Sequence, residues 1–243
     1  FAIQGEKLYV LEVNPRSSRT VPFVAKSSGL PLARIAAKIT IGIPLSKQTI
    51  PVRTSGNVCV KAPVFPFIKL RGLDPAPGPE MKSTGEVFGS HQDADIAYLK
   101  ARLATEVPVA SEGGVYLTVR DGDKINLVPI AHQLKELGFS LYATPGTADV
   151  LRENDVPVEI VYRIRERMHP DALDLMRQGK ISFIVNVPTV SGGAVRDGNM
   201  MRRLAVELNI PFVTTIRGAK MEVSAIAAMM KGEMEPVRLQ VNY

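Results

Sequence analysis

The chain has 243 residues, enough for one large domain or two modest ones, and its 45% hydrophobic and 22% charged residues are the balance of a soluble globular protein. Thirty Lys and Arg against 24 Asp and Glu leave a net charge of +6, which favours phosphate-bearing ligands; the basic residues are scattered and Trp is absent, so nucleic acid is not an expected partner. One cysteine, Cys59, excludes an internal disulfide framework and suits a reducing cytoplasm, three histidines leave little material for zinc, and no apolar run or leader pattern points to a membrane.

In chain order, the first half is irregular. The sequence opens at Phe1, without methionine, directly on strand-forming residues, so a longer protein is expected. Gln4-Gly5-Glu6-Lys7 reads as a turn between strands at 1–3 and 8–13. Residues 31–41, PLARIAAKITI, set Leu32, Ile35, Ala36 and Ile39 on one helical face, and Gly42 and Pro44 end that helix. A strand follows at 58–64, then RGLDPAPGPE at 71–80, whose prolines require a loop. A short strand at 84–89, a helix at 93–105 and a linker at 106–114 close this half. The expected division is 1–110 and 111–243.

The second half is regular. Strands are expected at 115–119, 139–143, 158–162, 181–185 and 212–215. Helices fill the gaps at 125–137, 144–153, 170–178, 199–208 and 221–230, with a glycine-rich loop, SGGAVRDG, before the fourth. Such alternation is the signature of an α/β, doubly wound parallel sheet with crossover helices, whose ligands sit beyond the carboxyl ends of the strands.

Two groups of residues carry candidate chemistry. In LEVNPRSSR, Glu12 and Asn14 are two apart, so on a strand they share a face and make a hard oxygen site suited to Mg²⁺ or Mn²⁺. Arg16 and Arg19 follow, with guanidinium forks able to hold phosphate oxygens. A structural ion pair between Glu12 and one of these arginines is the plainer alternative. In the second half, Thr144-Pro145-Gly146-Thr147 joins a strand to a helix and offers hydroxyls and free amides to an anion. Thr118, Lys124, Arg163 and Asn186 fall near other strand ends; helix caps and solvated charges are the alternative account. A lyase needs a carboxylate base and a histidine beside the phosphate. His132 and His169 are not at strand ends, Asp197 is expected to pair with Arg202 or Arg203, and Met200, Met201, Met229 and Met230 are expected in packing.

The stretch YVLEVNPRSSRTVPFVAKSSGLPLARIAAKITIGIPL resembles the second ATP-grasp unit of the carbamoyl phosphate synthetase large subunit. VKAPVFPF at 60–67 and GPEMKSTGEVFG at 78–89 resemble it too, and the second half is similar to that subunit's methylglyoxal-synthase-like allosteric domain. The resemblance implies the carboxy-terminal part of an ATP-grasp domain followed by a nucleotide-sensing domain. It implies ATP and Mg²⁺ or Mn²⁺ as cofactors, with Glu12 and Asn14 as metal ligands and Arg16 and Arg19 at the phosphates or the carbamate. It implies that Thr118, Lys124, Thr144, Thr147, Arg163 and Asn186 hold UMP or IMP. The implied partners are the remainder of the large subunit and a glutaminase small subunit, in an oligomer serving pyrimidine and arginine synthesis. A glutamine ligand of the family lies just before Phe1 and the nucleotide-covering loop lies further upstream, so this chain alone is expected to be inactive. Thr214 matches a position linked to ornithine, whereas Ala62 stands where ornithine-activated members carry glutamate. A stand-alone nucleotide-binding regulator is the competing class, and another ATP-grasp ligase fits the opening motif but not the second half.

Overall fold

The computed structural model describes residues 1–50, 56–67, 69, 74–76, 81–189 and 193–232. Most of the proline-rich loop at 71–80, and Ser191 and Gly192 of the glycine-rich segment, lie outside the described residues. The chain divides into two compact units, one covering Phe1–Gly56 and one beginning at Asn57.

In the first unit a hairpin pairs β1 (Ala2–Gln4) with β2 (Lys7–Tyr9), turning at Gly5, which has φ 61°. The expected second strand, 8–13, stops at Tyr9: its partner is three residues long and offers no further backbone to pair with. Helix α1 (Thr20–Ser28) was not expected, because its Thr, Val and Pro are weak helix formers. Pro22 falls in the first turn, where no amide donor is needed, and Gly29 closes the helix in the left-handed conformation. Helix α2 (Leu32–Thr40) follows as the periodicity predicts. No residue between 1 and 50 is buried, and Phe1, Ile3, Leu11, Val13 and Ile41 are largely exposed.

The second unit begins with an antiparallel pair, β3 (Val58–Val64) and β4 (Gly85–His91), covered by α3 (Ala94–Leu103). Asp93 caps α3, accepting bonds from the amides of Asp95 and Ile96. Gly89 lies under this helix; a Cβ there would meet the carbonyl of Ala97 at 2.1 Å.

The parallel sheet contains β5 (Gly114–Val119), β6 (Ser140–Ala143), β7 (Glu159–Ile160), β8 (Ile181–Val187) and β9 (Phe212–Val213), in the order β7-β6-β5-β8-β9. Its helices are α4 (Lys124–Glu136), α5 (Pro145–Glu153), α6 (Ala172–Arg177), α7 (Gly193–Glu207) and α8 (Ile216–Met230). Period-two alternation sorts β5 between two cores. Val115, Leu117 and Val119 pack with Leu127, Leu134, Leu151, Val223 and Ile226, from α4, α5 and α8. Tyr116 packs with Ala172, Met176, Met201 and Ala205, from α6 and α7. Burial on both faces explains why the β5 sequence reads as a continuous apolar run.

The structure adjusts several expectations in this sheet, β9 among them, which ends at Val213. β7 is only two residues long, an edge strand paired with β6 at Glu159 and Ile160. β8 runs two residues past 185 and carries Asn186 within the strand. Helix α7 starts at Gly193, so the described part of the glycine-rich loop is helical. Gly198 fits because its missing side chain makes room for neighbours: a Cβ would lie 2.8 Å from the Arg202 guanidinium and 3.3 Å from Asn186 Oδ1. Helix α8 starts early, capped by the Thr215 hydroxyl. Of the four methionines expected in packing, Met201 is buried and Met229 packs on the α3–α8 cluster, while Met200 and Met230 are exposed. Among the described residues no helix is long and apolar enough to cross a membrane.

Candidate functional site

β5 lies at the centre of the sheet. The chain leaves it for β6 and β7 on one side and for β8 and β9 on the other, so a crevice opens where the order reverses, at the strands' carboxyl ends. A cleft of about 280 Å³ occupies this point. Thr118, Lys124, Thr144, Thr147, Arg163 and Asn186 all line it.

Each side chain gets there for a local reason. Thr118, next to last in β5, is level with Asn186 of β8. Thr144 is the cap of α5, and its hydroxyl contacts that of the buried Thr147 at 3.3 Å. Pro145 opens α5 with its φ preset and carries no N–H, and the Thr147 and Ala148 amides bond back to the Thr144 carbonyl at 3.0 and 2.9 Å, so the Gly146 N–H is the first-turn donor left for an anion. Lys124 begins α4 and extends over that turn: a Cβ on Gly146 would stand 2.9 Å from Lys124 Nζ and 4.0 Å from the Arg163 guanidinium. Gly146 therefore lets two cations approach the positive end of a helix, an arrangement suited to a multiply charged anion. Strands stand about 4.8 Å apart, so from the end of β6 across β5 to Asn186 the cleft spans about 10 Å. That is the scale of a nucleoside monophosphate.

The cations of the cleft are held by carboxylates. Lys124 pairs with Asp121 at 2.7 Å, Arg163 with Glu166 at 3.0 Å and Arg165 with Asp197 at 3.5 Å. The Lys124 hydrogen bond holds the exposed Asp121 carboxyl below its usual range. Glu166 is lowered in the same way, first by the Arg163 amide and then by its side chain. Asp197 is pushed up, because partial burial outweighs the neighbouring arginines. The sequence reading expected Asp197 to pair with Arg202 or Arg203. It faces Arg165 instead, since Arg202 is buried and bonded to Asp74 and Asn186. Among the described residues no histidine lines the cleft. His169, Asp171 and Asp174 sit close together elsewhere, with Asp171 and Asp174 engaged in a capping box at the start of α6.

In the first unit, Asn14 Nδ2 donates to Glu12 Oε1 at 3.0 Å, so the two side chains share a face although the backbone there is not a regular strand. Arg19 stands at the cap position of α1, and all four residues of the motif are exposed. Among the described residues Glu12 makes no ion pair with Arg16 or Arg19. A carboxylate and an amide beside it are hard oxygen donors that fit part of the shell of a divalent ion.

A second cleft, about 570 Å³ and mainly apolar, is lined by Thr214, Lys61, Ala62, Phe65 and Phe212 among others. Among its described lining residues the one carboxylate is Glu222, already bonded to Arg102 and Tyr98. Sequence reasoning missed Arg120, Asp121 and Asp74, and it named Arg202 only as a partner for Asp197. The signal for Asp121 was its place just after a strand.

Two family models match the chain: the MGS-like domain over residues 126–214, and the carbamoyl-phosphate synthase L chain ATP binding domain over residues 1–48. The "carbamoyl phosphate synthase large chain, C-terminal section" of Methanocaldococcus jannaschii is 46% identical over 96% of this chain and 40% of its own length. The corresponding section of Methanopyrus kandleri is 46% identical over 92% of this chain and 42% of its own length. The large chain of Methanosarcina barkeri is 43% identical over 96% of this chain and 58% of its own length. The chain thus spans between about two fifths and three fifths of these relatives.

Proposed function

This chain is a sequence relative of the carboxy-terminal section of carbamoyl phosphate synthase large chains, and we propose that it serves such an enzyme as the end of its carbamate-phosphorylating ATP-grasp domain joined to a nucleotide-sensing domain. The proposed division by chemistry is 1–110 and 111–243, although the compact unit beginning at Asn57 also includes β3, β4 and α3.

The observation that carries the sensing role is the pair of cations over Gly146 at the start of α5, in a cleft that also holds Thr118, Thr144, Thr147 and Asn186. The phosphate of UMP or IMP would sit against the Gly146 amide, Lys124 and Arg163, displacing Asp121 and Glu166 as partners of those cations. The sugar and base would extend past Thr118 to Asn186. In the first unit, Glu12 and Asn14 would hold Mg²⁺ or Mn²⁺ on ATP, while Arg16 and Arg19 neutralise phosphate charge. The metal ion, when bound, supplies charge to phosphate oxygens. The proposed partners are the rest of the large subunit and a glutaminase small subunit, in a cytoplasmic oligomer that makes carbamoyl phosphate for pyrimidine and arginine synthesis; the chain alone is proposed to be inactive. Ala62 and Thr214 both line the second cleft, and Glu222, the one carboxylate among its described lining residues, is already bonded to Arg102 and Tyr98, so we propose no response to ornithine there.

Calorimetric titration of UMP and IMP into the chain tests the sensing role. Saturable binding is expected, weakened about tenfold to a hundredfold by Lys124→Ala, the range for one charge-assisted bond. Absence of binding to the folded chain would overturn it. The second reading, a nucleotide-binding module without catalysis, is favoured by one fact: the cleft is built wholly within the unit beginning at Asn57. ATP-dependent carbamoyl phosphate formation by the chain with the remaining parts of the enzyme would exclude that reading.

A further inference from the structure

Arg202 lies in α7 with its side chain almost fully buried, and its guanidinium has two different partners. Nε and one terminal nitrogen form a fork on Asp74, at 2.8 and 2.5 Å. The other terminal nitrogen donates to Asn186 Oδ1 at 2.5 Å. Gly198, one turn earlier, is what lets this group reach the strand. Asp74 belongs to the segment between β3 and β4, outside the parallel sheet.

A guanidinium has no acceptor, so the Asn186 oxygen must face it. What Asn186 retains for the cleft is the amide nitrogen, a donor. We propose that Arg202 is a positioning residue which fixes Asn186 as a hydrogen-bond donor to the sugar or base end of a bound nucleotide, and that Asp74 holds Arg202 in that role, tying affinity for the nucleoside part to the β3–β4 segment. The proposal rests on the nucleotide reading of the cleft. It adds that an acceptor atom on the ligand meets Asn186, and that the phosphate end is recognised independently.

Asp74→Asn removes the charge of the fork and frees the guanidinium to turn, so Asn186 loses its fixed orientation. The test titrates UMP and inorganic phosphate into the wild-type chain, Asp74→Asn, Arg202→Lys, Lys124→Ala and Arg102→Lys. Arg102 anchors a buried ion pair away from the nucleotide cleft, so Arg102→Lys is the control for stability loss alone. Expected for Asp74→Asn and Arg202→Lys is about tenfold weaker UMP binding, the effect of one hydrogen bond, with phosphate binding undiminished. Arg102→Lys is expected to lower the melting temperature without moving either affinity. UMP affinity unchanged in Asp74→Asn, while Lys124→Ala weakens it, would overturn the positioning role and leave the nucleotide reading intact. Equal loss of UMP and phosphate affinity would overturn it too, as would loss of UMP affinity in Arg102→Lys. No UMP binding by the folded wild-type chain would overturn both readings.

Discussion

Replacing Glu222 by Gln tests the clasp between α3 and α8. Glu222 is fully buried and takes three hydrogen bonds: Arg102 Nε at 2.7 Å, Arg102 Nη2 at 2.9 Å and the Tyr98 hydroxyl at 2.9 Å. Burial and the Glu222 charge together push the Tyr98 phenol up, so it remains a donor. Glutamine keeps the shape but sets an NH₂ against an arginine or tyrosine donor and leaves a half-buried guanidinium uncompensated. Its remaining contact, to Thr105 Oγ1 at 3.0 Å, is neutral. Breaking one side of a buried pair costs about 3–5 kcal/mol, and the retained volume and hydrogen bonds place this case near the lower figure. At about 2–4 °C per kcal/mol for a chain of this size, melting should fall by roughly 6–12 °C. Thermal unfolding followed by far-ultraviolet circular dichroism measures it. The double substitution Arg102→Met with Glu222→Leu removes both charges and should recover most of the loss. A single-variant loss below about 1 kcal/mol, or a double variant as unstable as the single, would refute the claim that the clasp is a committed ion pair.

The other predictions concern charge. Asp121→Asn frees Lys124 from an exposed counter-ion and should tighten UMP binding by about twofold to fivefold, with the gain fading near 1 M salt; isothermal titration at two salt concentrations reads both. The hydrogen bond and then the charge of Asp174 raise His169 above its unfolded value, and Asp174 is correspondingly lowered. The stability they share is present below about pH 6.5 and lost as pH rises through the folded value of His169. His169→Gln should therefore melt earlier than wild type near pH 5.5 and together with it near pH 8.5; an equal gap at both values would rule out the ion pair as its source.

Much of this was legible in the sequence. Alternating strands and helices between 114 and 230 have strong periodic signals, and turn residues marked their ends. The residues after those strands meet in one cleft because a sheet reversing its order at β5 leaves them nowhere else to go. Less visible was anything decided by contact between distant segments. Asp74 and Arg202 are 128 positions apart and neither sits in a motif. Gly198 reads as a loop former in isolation; within α7 it is the residue that leaves room for the Arg202 guanidinium. Helix α1 was missed because its stop signal, Gly29, is plain, whereas its body has poor intrinsic propensity. Glu12 and Asn14 were readable as an oxygen-donor pair, and Asn14 does touch Glu12, but a two-residue spacing does not choose between Mg²⁺ and Mn²⁺.

The exposed apolar side chains of the first unit have a practical consequence for all of these measurements. Phe1, Ile3, Leu8, Val10, Leu11 and Val13 are exposed, and exposed apolar side chains are what environment-sensitive dyes bind. Such a dye should fluoresce strongly with this protein before any heating, so a bright signal does not report denaturation. Melting curves drawn from dye fluorescence will start high and flatten, and stickiness will grow with concentration. Backbone circular dichroism, recorded in dilute solution and repeated at several concentrations, separates unfolding from self-association.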